Sequence, residues 1–593
     1  MILLVSFGIF ACVNETDDEA LCLPSIAKDK EQFIDYLLAN LTLEEKIGQM
    51  LQAEEKYITP LEVTEYGIGS ILSGGGSHPN HYDDNVTVWY DMVKGYQEAA
   101  LEARCSIPLL YGTDAVHGHN NVYGATIFPH NINLGMMNDA ALIEQIGEAT
   151  ALEMKATGIH WNFSPAVSVA RDIRWGRTYE AFSEDSSIHA NLVAPFIQGL
   201  QSHHAIATAK HFVADGGTYR GIDQGDAILS EQAVRDIHLP PFIKAIEAGV
   251  STIMVSFSSI NGIKMHASEY WLTTVLRDEL GFEGVLLSDW NAIFQLDGTF
   301  QEQLITSVNA GVDMLMLPMD WQAAHAELID AVHKGILTTE RVDEAVRRIL
   351  TLKYDHHLFE NPTHRVDADS YFASDSHIAL ARKAASASMV LLENDDILPL
   401  SGNEKLYITG PAHDHVGYLA GGWTTHWQGN HDARLGTGTS ILEGIQNHLQ
   451  NKPGQIVNSL EDADTVIVVF TETPYAEGYG DTEQPTLFSG LAHPDNLQAY
   501  QKALDAKALG LNVIGVIVSG RPLVLEDTVE TFDALIAAFL PGSEGGSALS
   551  DLLYNQAKFQ GKLSFTWPAS LDYFDAPDNH VLYPFGYGLT YDD

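Results

Sequence analysis

Apolar runs recur along the first half of the chain at intervals that leave room for a helix between them. Seven are clear: IGSILSG (68–74), PLLYGTDA (108–115), IHWNFSP (159–165), AIATAKHF (205–212), TIMVSF (252–257), GVLLSDW (284–290) and VDMLMLP (312–318). Their cores lack polar alternation, which is typical of parallel strands covered on both faces. Helical patterns at 140–157, 230–248 and 267–280 lie between them. With an eighth strand of weaker pattern, the runs predict a (β/α)8-type barrel.

A second alternation of strands and helices follows in the last third of the chain. Its runs are MVLLEN (389–394), KLYITG (405–410), DTVIVVFTE (464–472), NVIGVIVSG (512–520), ALIAAFLPG (534–542) and KLSFTW (562–567). They predict a six-stranded, mostly parallel α/β sandwich. A polar, histidine-rich stretch before them has neither the periodicity of a helix nor that of a strand, and it indicates a linker. We expect a barrel at 25–355, a linker at 356–385 and a sandwich domain at 386–593.

The N-terminal segment, residues 1–24, has the pattern of an export signal. Residues 2–13 form an apolar run as long as a signal-peptide core and too short to span a bilayer. Ile9-Phe10-Ala11-Cys12 resembles a bacterial lipoprotein cleavage site with Cys12 as the lipidated residue, although no Lys or Arg precedes the run. We expect a periplasmic, outer-membrane-anchored or secreted protein, with a lipid anchor at Cys12 as one alternative.

Composition and motifs exclude several classes of partner. With 32 Lys and Arg against 79 Asp and Glu, the formal charge of −47 would repel phosphate backbones, so we expect no nucleic acid. Neighbouring histidines such as His203 and His204 lack the spacing of a zinc site, and no cysteine cluster is present. The chain also has no phosphate-binding glycine loop. We therefore expect neither a metal nor another cofactor.

Polar and aromatic side chains gather where the predicted barrel strands end. Asp114, the pair Lys210-His211 and the pair Asp289-Trp290 stand at the C-terminal ends of three of these runs, and Arg177 follows IHWNFSP. In a (β/α)8 barrel those ends meet at one mouth, where the chemistry of the fold takes place. Carboxylates and cations bind hydroxyl groups, and indole rings stack on the apolar faces of sugars. The mouth therefore suits a neutral sugar.

Ten strings, spread in order over nearly the whole chain, carry a family resemblance. They are YGTDAVHGHNNV, RDIRWGRTYEAFSED, ATAKHFVADGGT, NGIKMH, GVLLSDW, GGWTTHWQG, TPYAEGYGD, VSGRP, LPGSEGG and YPFGYGLTY. Together they resemble glycoside hydrolase family 3, in its β-glucosidase and exo-β-glucanase branch. The resemblance implies a retaining enzyme that releases glucose from the nonreducing end of β-glucans and β-glucosides without a cofactor.

The resemblance also implies a role for eight residues. Asp289 in SDW matches the catalytic nucleophile, and Glu477 in PYAEG matches the general acid/base, which the second domain supplies. Four residues match those that bind the hydroxyls of the terminal sugar, and two match the indoles that hold the next unit; they are Asp114, Arg177, Lys210 and His211, and Trp290 and Trp427. Retention of configuration would need the two carboxyl groups about 5 to 5.5 Å apart.

Several alternatives stay open in the sequence. Glu472 competes with Glu477 for the acid/base role, while Trp175 and Trp423 are expected to pack inside the protein. An N-acetylglucosaminidase of the same family would carry a KHFPGHG-type loop, which 210–216 does not match. A β-xylosidase, or another β-glycosidase of the family, is not distinguished by these motifs. A non-catalytic sugar-binding protein on the same fold would have lost a carboxylate that is present here.

Three positions depart from patterns in the family. Phe257 stands where many members have Tyr, Gln224 where plant-like members have an acid, and Asn291 where they have Glu after SDW. These departures concern the choice of aglycone and not the reaction.

Overall fold

A computed structural model describes residues 29–363, 365–431 and 433–592; Cys12 and the predicted export signal lie outside them. Eight strands form the first sheet: β1 Leu51–Glu54, β2 Ser70–Ser73, β3 Leu110–Thr113, β4 Trp161–Asn162, β5 Ile206–Phe212, β6 Thr252–Val255, β7 Val285–Leu287 and β8 Leu315–Met316. Neighbours pair in parallel in the order β7-β6-β5-β4-β3-β2-β1-β8. A parallel bridge between Leu287 and Met314 joins the two ends. The predicted (β/α)8-type barrel is confirmed.

The strand of weaker pattern is β1, whose sequence is LQAE. Its polar residues Gln52 and Glu54 are buried, and Gln52 Nε2 donates a hydrogen bond to Ser70 Oγ at 2.7 Å. The hydrogen bond compensates the amide nitrogen of Gln52 for its burial. A four-residue strand with two polar side chains carries too weak an apolar signal to be located from the pattern alone.

Helices surround the barrel. Their bounds are Lys30–Asn40, Leu43–Gln49, Pro60–Tyr66, Val86–Glu102, Asn131–Met137, Ala140–Ala156, Ser186–Ser202, Glu231–Ala233, Val234–His238, Pro240–Glu247, Tyr270–Glu279, Phe300–Ala310, Trp321–His333 and Thr339–Asp355. Thr42 and Glu45 form a capping box at the start of the helix Leu43–Gln49. The helix expected over 230–248 is divided before Pro240, because Pro240 and Pro241 have no amide hydrogen to donate.

The second domain is a six-stranded sheet between helices. Its strands are β9 Val390–Asn394, β10 Lys405–Thr409, β11 Gln455–Ile456, β12 Thr465–Thr471, β13 Asn512–Val518 and β14 Ala534–Ala537, in the order β9-β14-β13-β12-β10-β11. Only the β9–β14 pair is antiparallel among the pairs of this sheet. The helices are Val416–Ala420, Ile441–Leu449, Asn496–Ala508 and Gly545–Leu553. The mostly parallel α/β sandwich is confirmed.

The prediction is wrong for one strand of this sheet. The run at 562–567 buries Leu563, Phe565 and Trp567, but only Trp567 at its end pairs as a strand. It does so in a separate two-stranded ribbon of Trp567–Pro568 with Val581–Tyr583. The backbone of Leu563 donates to Tyr587 O instead of to the sheet. The sixth place in the sheet belongs to β11, a two-residue edge strand whose sequence gives no periodic signal.

The segment predicted as a linker contains two helices, Ala368–Tyr371 and Asp375–Ser388. The longer one contacts Asn131–Met137 of the barrel domain and Gly545–Leu553 of the second domain. It therefore packs against both domains, and the boundaries at 356–385 stay a prediction. In the described ranges, no helix has both the length and the apolar character needed to cross a bilayer.

Candidate active site

The carboxyl ends of the barrel strands and two loops of the second domain enclose a cavity of about 560 Å³. All eight residues singled out in the sequence line it: Asp114, Arg177, Lys210, His211, Asp289, Trp290, Trp427 and Glu477. The barrel residues among them are far apart along the chain and meet because the fold brings its strand ends together. The structure thus assembles the predicted set in one place.

Asp289 follows β7 at the mouth of the barrel and is only 8% exposed. Its backbone N–H donates to His266 Nε2 at 3.1 Å, and its Oδ1 accepts from the Trp290 N–H at 2.7 Å. The other oxygen, Oδ2, lies 3.5 Å from His211 Nε2 and accepts no hydrogen bond from the described residues. Burial raises the pKa of Asp289 to about 6, against the opposing effect of Arg177 and Lys210. A carboxylate that has one oxygen fixed by a hydrogen bond, and whose other oxygen faces the cavity without one, is suited to nucleophilic attack.

Glu477 lies on the loop after β12, with a left-handed backbone at φ +55°. Its Oε1 accepts from Arg177 Nη1 at 3.2 Å, across the domain interface. Burial raises the pKa of Glu477 to about 8, and the carboxylates of Asp223 and Asp289 act in the same direction against Arg177. At neutral pH this group is protonated and can donate its proton.

Arg177 connects the two carboxyl groups. It forms a two-point ion pair with Glu180, from Nε at 2.9 Å and from Nη2 at 2.8 Å. Its Nη2 also lies 3.3 Å from His211 Nε2. Burial lowers the pKa of His211 well below its usual value, so the neutral ring donates from Nδ1 to Asp215 at 2.8 Å and accepts from Arg177. Arg177 thus contacts both Glu477 and His211, and the Nε2 of His211 lies 3.5 Å from Asp289 Oδ2 without donating a hydrogen bond to it.

Lys210 and Asp114 form a second ion pair in the same cavity. Lys210 Nζ donates to Asp114 Oδ1 at 3.0 Å, and the lysine is 1% exposed. Its ammonium lies 5.7 Å from the ring centre of Trp423. The pair presents a cation and a carboxylate to the cavity. The donor and acceptor sites that their ion pair leaves unused suit the adjacent hydroxyls of a sugar ring.

The three tryptophans at the cavity differ in exposure. Trp290 is 37% exposed and Trp427 is partly buried, whereas Trp423 is 5% exposed and donates from Nε1 to Glu180 Oε1 at 3.1 Å. Trp423 is therefore part of the second domain's core, as expected, although its edge also reaches the cavity wall. Trp290 and Trp427 present more open surface at the mouth.

Glycines bring a barrel loop close to these indoles. A Cβ on Gly74 would lie 2.8 Å from Trp290, and one on Gly75 would lie 2.6 Å from Trp423. Both positions require a hydrogen in place of a side chain. The glycine run after β2 thus serves as a close-packed wall of the cavity.

Glu472, the competing acid, occupies a different environment. It is 5% exposed, and its Oε2 accepts from the Tyr475 hydroxyl at 3.0 Å and from the Gly520 N–H at 2.8 Å. Its Oε1 lies 3.3 Å from Arg521 Nε. Glu472 does not line the cavity. Its contacts are those of a residue that holds the loop before Glu477.

Two family models match this chain. The glycosyl hydrolase family 3 N terminal domain covers residues 42–352, and the glycosyl hydrolase family 3 C-terminal domain covers residues 389–591. The chain belongs to glycosyl hydrolase family 3. It is a glycoside hydrolase, and its two matched segments correspond to the barrel and to the mixed sheet.

Curated relatives in family 3 align along most of the chain. A lysosomal beta glucosidase of Dictyostelium discoideum is 32% identical over 95% of the chain and 76% of its own length. A periplasmic beta-glucosidase of Salmonella typhimurium is 27% identical over 96% and 81%, and a beta-xylosidase of Formosa agariphila is 29% identical over 84% and 76%. Among solved structures, the Q683A mutant of an exo-1,3/1,4-beta-glucanase from a Pseudoalteromonas species superposes with a TM-score of 0.91, at 38% identity over 96% of each chain.

Four further polar residues of this family 3 site were not predicted from the sequence. Glu180 pairs with Arg177, Asp215 orients His211, His266 accepts from the Asp289 backbone, and Asp223 raises the pKa of Glu477. Glu180 follows Arg177 by three residues, a spacing that could have indicated a pair. Asp223 has no such signal, because its effect on Glu477 depends on the docking of the two domains.

A set of buried and partly buried polar contacts docks the Glu477 loop on the barrel. Asp481 accepts the backbone N–H groups of Gly176 and Asp223, both at 2.8 Å. Arg521, fully buried, donates to Gly480 O at 2.6 Å and to Ile173 O at 2.8 Å. These contacts fix the Glu477 loop relative to the barrel loop that carries Arg177.

The described residues contain no group of three or more His, Cys, Asp or Glu side chains arranged to hold a metal ion.

Proposed function

We propose that this chain is a retaining, exo-acting β-glucosidase or exo-β-glucanase that releases glucose from the nonreducing end of β-glucans and β-glucosides. The observation that carries the proposal is the pair Asp289 and Glu477. They come from different domains, face one cavity, and have pKa values near 6 and 8. One is ionised and the other protonated at neutral pH, as double displacement requires.

Each carboxyl group acts in both steps of the reaction. Asp289 Oδ2 attacks the anomeric carbon while Glu477 gives its proton to the glycosidic oxygen, and the aglycone leaves as an alcohol. Glu477, now ionised, takes a proton from water, whose oxygen attacks the same carbon and displaces Asp289. Two inversions leave the configuration retained. Arg177 contacts Glu477 and lies beside His211. It would stabilise the negative charge that develops on Glu477 in the first step and is lost in the second.

The distribution of polar groups supports attack at a chain end. Asp114, Lys210 and His211 lie at the barrel strand ends with little exposure, where they can bind the hydroxyls of one terminal sugar. Trp290 and Trp427 stand at the more open side, where their rings can hold the next unit. A β-glucan would therefore enter by its nonreducing end and lose one glucose per turnover.

The sugar released is tested with a panel of aryl glycosides. We expect the 4-nitrophenyl β-glucoside to be hydrolysed with a higher kcat/KM than the β-xyloside and the N-acetyl-β-glucosaminide. One family relative is named a beta-xylosidase, so a higher kcat/KM on the xyloside would assign that specificity instead. Turnover of no glycoside would indicate a non-catalytic sugar-binding protein.

The acid/base role is tested by chemical rescue. In Glu477→Ala, an aryl glucoside with a good leaving group should still glycosylate the enzyme, while hydrolysis of the intermediate slows because no base activates water. Azide should then restore turnover and yield a glycosyl azide. The matched variant Glu472→Ala should show no azide response. Rescue of Glu472→Ala in place of Glu477→Ala would overturn the assignment.

We also propose that the protein is exported, on the basis of the apolar run at 2–13 and the family relative named as periplasmic. Cys12 is the candidate site of a lipid anchor. Incorporation of a labelled fatty acid in a bacterial host, and its loss in Cys12→Ser, would support the anchor; label retained in Cys12→Ser would contradict it.

A further inference from the structure

Cys105 is a buried cysteine, remote from the catalytic cavity, that forms a disulfide bond. The chain has three cysteines, and the other two, Cys12 and Cys22, lie outside the described residues. The partner of Cys105 within the chain is therefore Cys12 or Cys22. Either bond would join the N-terminal segment covalently to the barrel domain.

Cys105 lies at the base of the barrel, the face opposite the catalytic mouth. It stands between the helix Val86–Glu102 and the strand β3. Turns that lead from a helix into a barrel strand lie at the N-terminal ends of the strands, whereas the mouth is at the carboxyl ends. Cys105 lines a small depression there, together with Leu41, Val63 and Ile107. A disulfide at this position fastens the N-terminal segment beneath the barrel.

The first helix, Lys30–Asn40, shows that Cys22 can reach this point. The C-terminal end of the helix is next to Cys105, because Arg104 Nη2 donates to Asn40 O at 2.8 Å. The eleven residues of the helix span about 16 Å. The chain from Cys22 to Lys30 spans at most about 29 Å when extended. The segment is therefore long enough to run back along the helix to Cys105.

Lipidation distinguishes the two candidate partners. At the proposed anchor the Cys12 sulfur would carry the lipid and could not also form a disulfide, which leaves Cys22. Formation of the S–S bond removes one proton and one electron from each thiol. A disulfide oxidoreductase of the export compartment would take up these two protons and two electrons as its own disulfide is reduced.

The bridge would shorten the tether between an anchor and the barrel. From Cys12 the extended chain reaches about 36 Å to Cys22 but about 61 Å to Asp29, the first described residue. A folded chain of 593 residues has a radius of gyration of about 25 Å, which corresponds to a diameter of about 64 Å. The shorter tether cannot reach across the molecule, so it holds the base toward the anchor, whereas the longer one nearly can.

We propose that a disulfide between Cys22 and Cys105 fastens the N-terminal segment to the base of the barrel, so that a chain anchored through Cys12 turns its base to a lipid membrane and its catalytic mouth away from it. The inference rests on the proposed export and lipid anchor, and not on the roles of Asp289 and Glu477. The membrane then does not obstruct the approach of a long β-glucan to the mouth.

The bridge is tested in the full chain, exported from a bacterial host, with a protease recognition sequence inserted between Lys28 and Asp29. After cleavage without reductant, the N-terminal fragment should stay attached, and reductant should release it. In Cys22→Ser, cleavage alone should release the fragment. Cys12→Ser keeps both bridge cysteines and should behave as the parent chain.

Peptide mapping without reductant identifies the bonded pair directly. We expect a peptide containing Cys22 to be joined to one containing Cys105. A bond between Cys12 and Cys105, or release of the fragment from the parent chain without reductant, would overturn the proposal.

The orientation is tested with the lipidated chain on phosphatidylcholine vesicles that contain a lipid with a photoreactive head group. Cross-links mapped by mass spectrometry should concentrate on base turns such as 103–106 and 334–338, and not around Trp290. In Cys22→Ser the share of cross-links at the base should fall about twofold, because the longer tether lets the barrel turn.

Three results would contradict this orientation: cross-links concentrated at the mouth, an unchanged distribution in Cys22→Ser, or a chain that carries no lipid. Glycoside turnover is not a readout in either experiment. Failure of the bridge or of the orientation is therefore distinct from failure of the proposed catalytic function, which the aryl glycosides test.

Discussion

At the scale of single residues, the site separates two similar carboxyl groups by their surroundings. Both are taken out of water, which raises both pKa values. Arg177 lowers both pKa values in part. Lys210 lowers the pKa of Asp289 further, whereas the Asp223 carboxylate raises the pKa of Glu477. The result is a carboxyl group at Asp289 that ionises near pH 6 and a carboxyl group at Glu477 that keeps its proton to near pH 8.

The separation of these two pKa values predicts a bell-shaped dependence of kcat/KM on pH. Because Asp289 must be ionised, kcat/KM should rise as pH increases through about 6; because Glu477 must be protonated, it should fall as pH increases through about 8. Initial rates on an aryl glucoside at low substrate concentration measure both limbs. In Glu477→Gln, assayed with a good leaving group, the alkaline limb should disappear and the acidic limb persist. An alkaline limb that persists in Glu477→Gln would assign it to another group.

The sequence predicted these residues unequally, for a physical reason. Asp289 and Glu477 stand in motifs that resemble those of the family, and the resemblance implied their roles. Asp223 and Asp215 act through other residues: the effect of Asp223 on Glu477 depends on domain docking that no local pattern encodes, whereas Asp215 follows His211 by only four residues. Their discovery required the structure.

At the scale of elements, the loop after β12 is the part of the site that must be placed most accurately. The loop belongs to the second domain, yet Asp481 holds it through the backbone of Gly176 and Asp223 in the barrel domain. Gly176 itself has no room for a side chain, since a Cβ there would lie 1.9 Å from Glu477 O. The barrel and the Glu477 loop therefore meet backbone to backbone.

Asp481→Asn should impair proton donation. An amide offers one accepting oxygen and would direct its NH2 at the other N–H group, which displaces the loop. We expect kcat to fall roughly tenfold to a hundredfold on disaccharides and less on aryl glucosides with good leaving groups, which need little acid assistance. Asp527→Asn, at an exposed position, is the control. Equal losses on both substrates would indicate a purely structural role.

Element prediction from sequence succeeded where the pattern was long. The helix at Ala140–Ala156 and the strand at Asn512–Val518 have strong periodic or apolar signals, and both were predicted. The two-residue β11 and the polar β1 are held by their neighbours in the sheet, through pairing that appears only once the sheet exists. Tertiary context overrides local preference in such short strands.

At the scale of the whole molecule, activity depends on a shared core between the two domains. Ile173, Trp175 and Tyr179 of the barrel domain pack within the hydrophobic cluster of the second domain, and the Tyr179 hydroxyl donates to Tyr475 O at 2.6 Å. Arg521 crosses the same interface while contacting Glu472. Such an interface would hold the proposed pair, Asp289 and Glu477, in a constant relative position.

Arg521→Ala should destabilise this interface strongly. The substitution leaves the Glu472 carboxylate buried without its cation, which typically costs about 3–5 kcal/mol. Thermal unfolding should show a lower midpoint for Arg521→Ala. The double variant Arg521→Ala/Glu472→Ala should lose less stability than the sum of the losses of the two single variants, because it has no uncompensated charge. Strictly additive losses would contradict the coupling.

The most direct test of the central claim, that Asp289 is a nucleophile poised opposite an acid from the other domain, is covalent trapping. A 2-deoxy-2-fluoro-β-glucoside with a good leaving group should inactivate the enzyme, since the fluorine slows both steps while the leaving group keeps the first step fast enough to occur. Proteolysis and mass spectrometry should find the fluoroglucosyl group on Asp289, and Asp289→Asn should take up no label. A label on any other residue, or labelling of Asp289→Asn, would contradict the account.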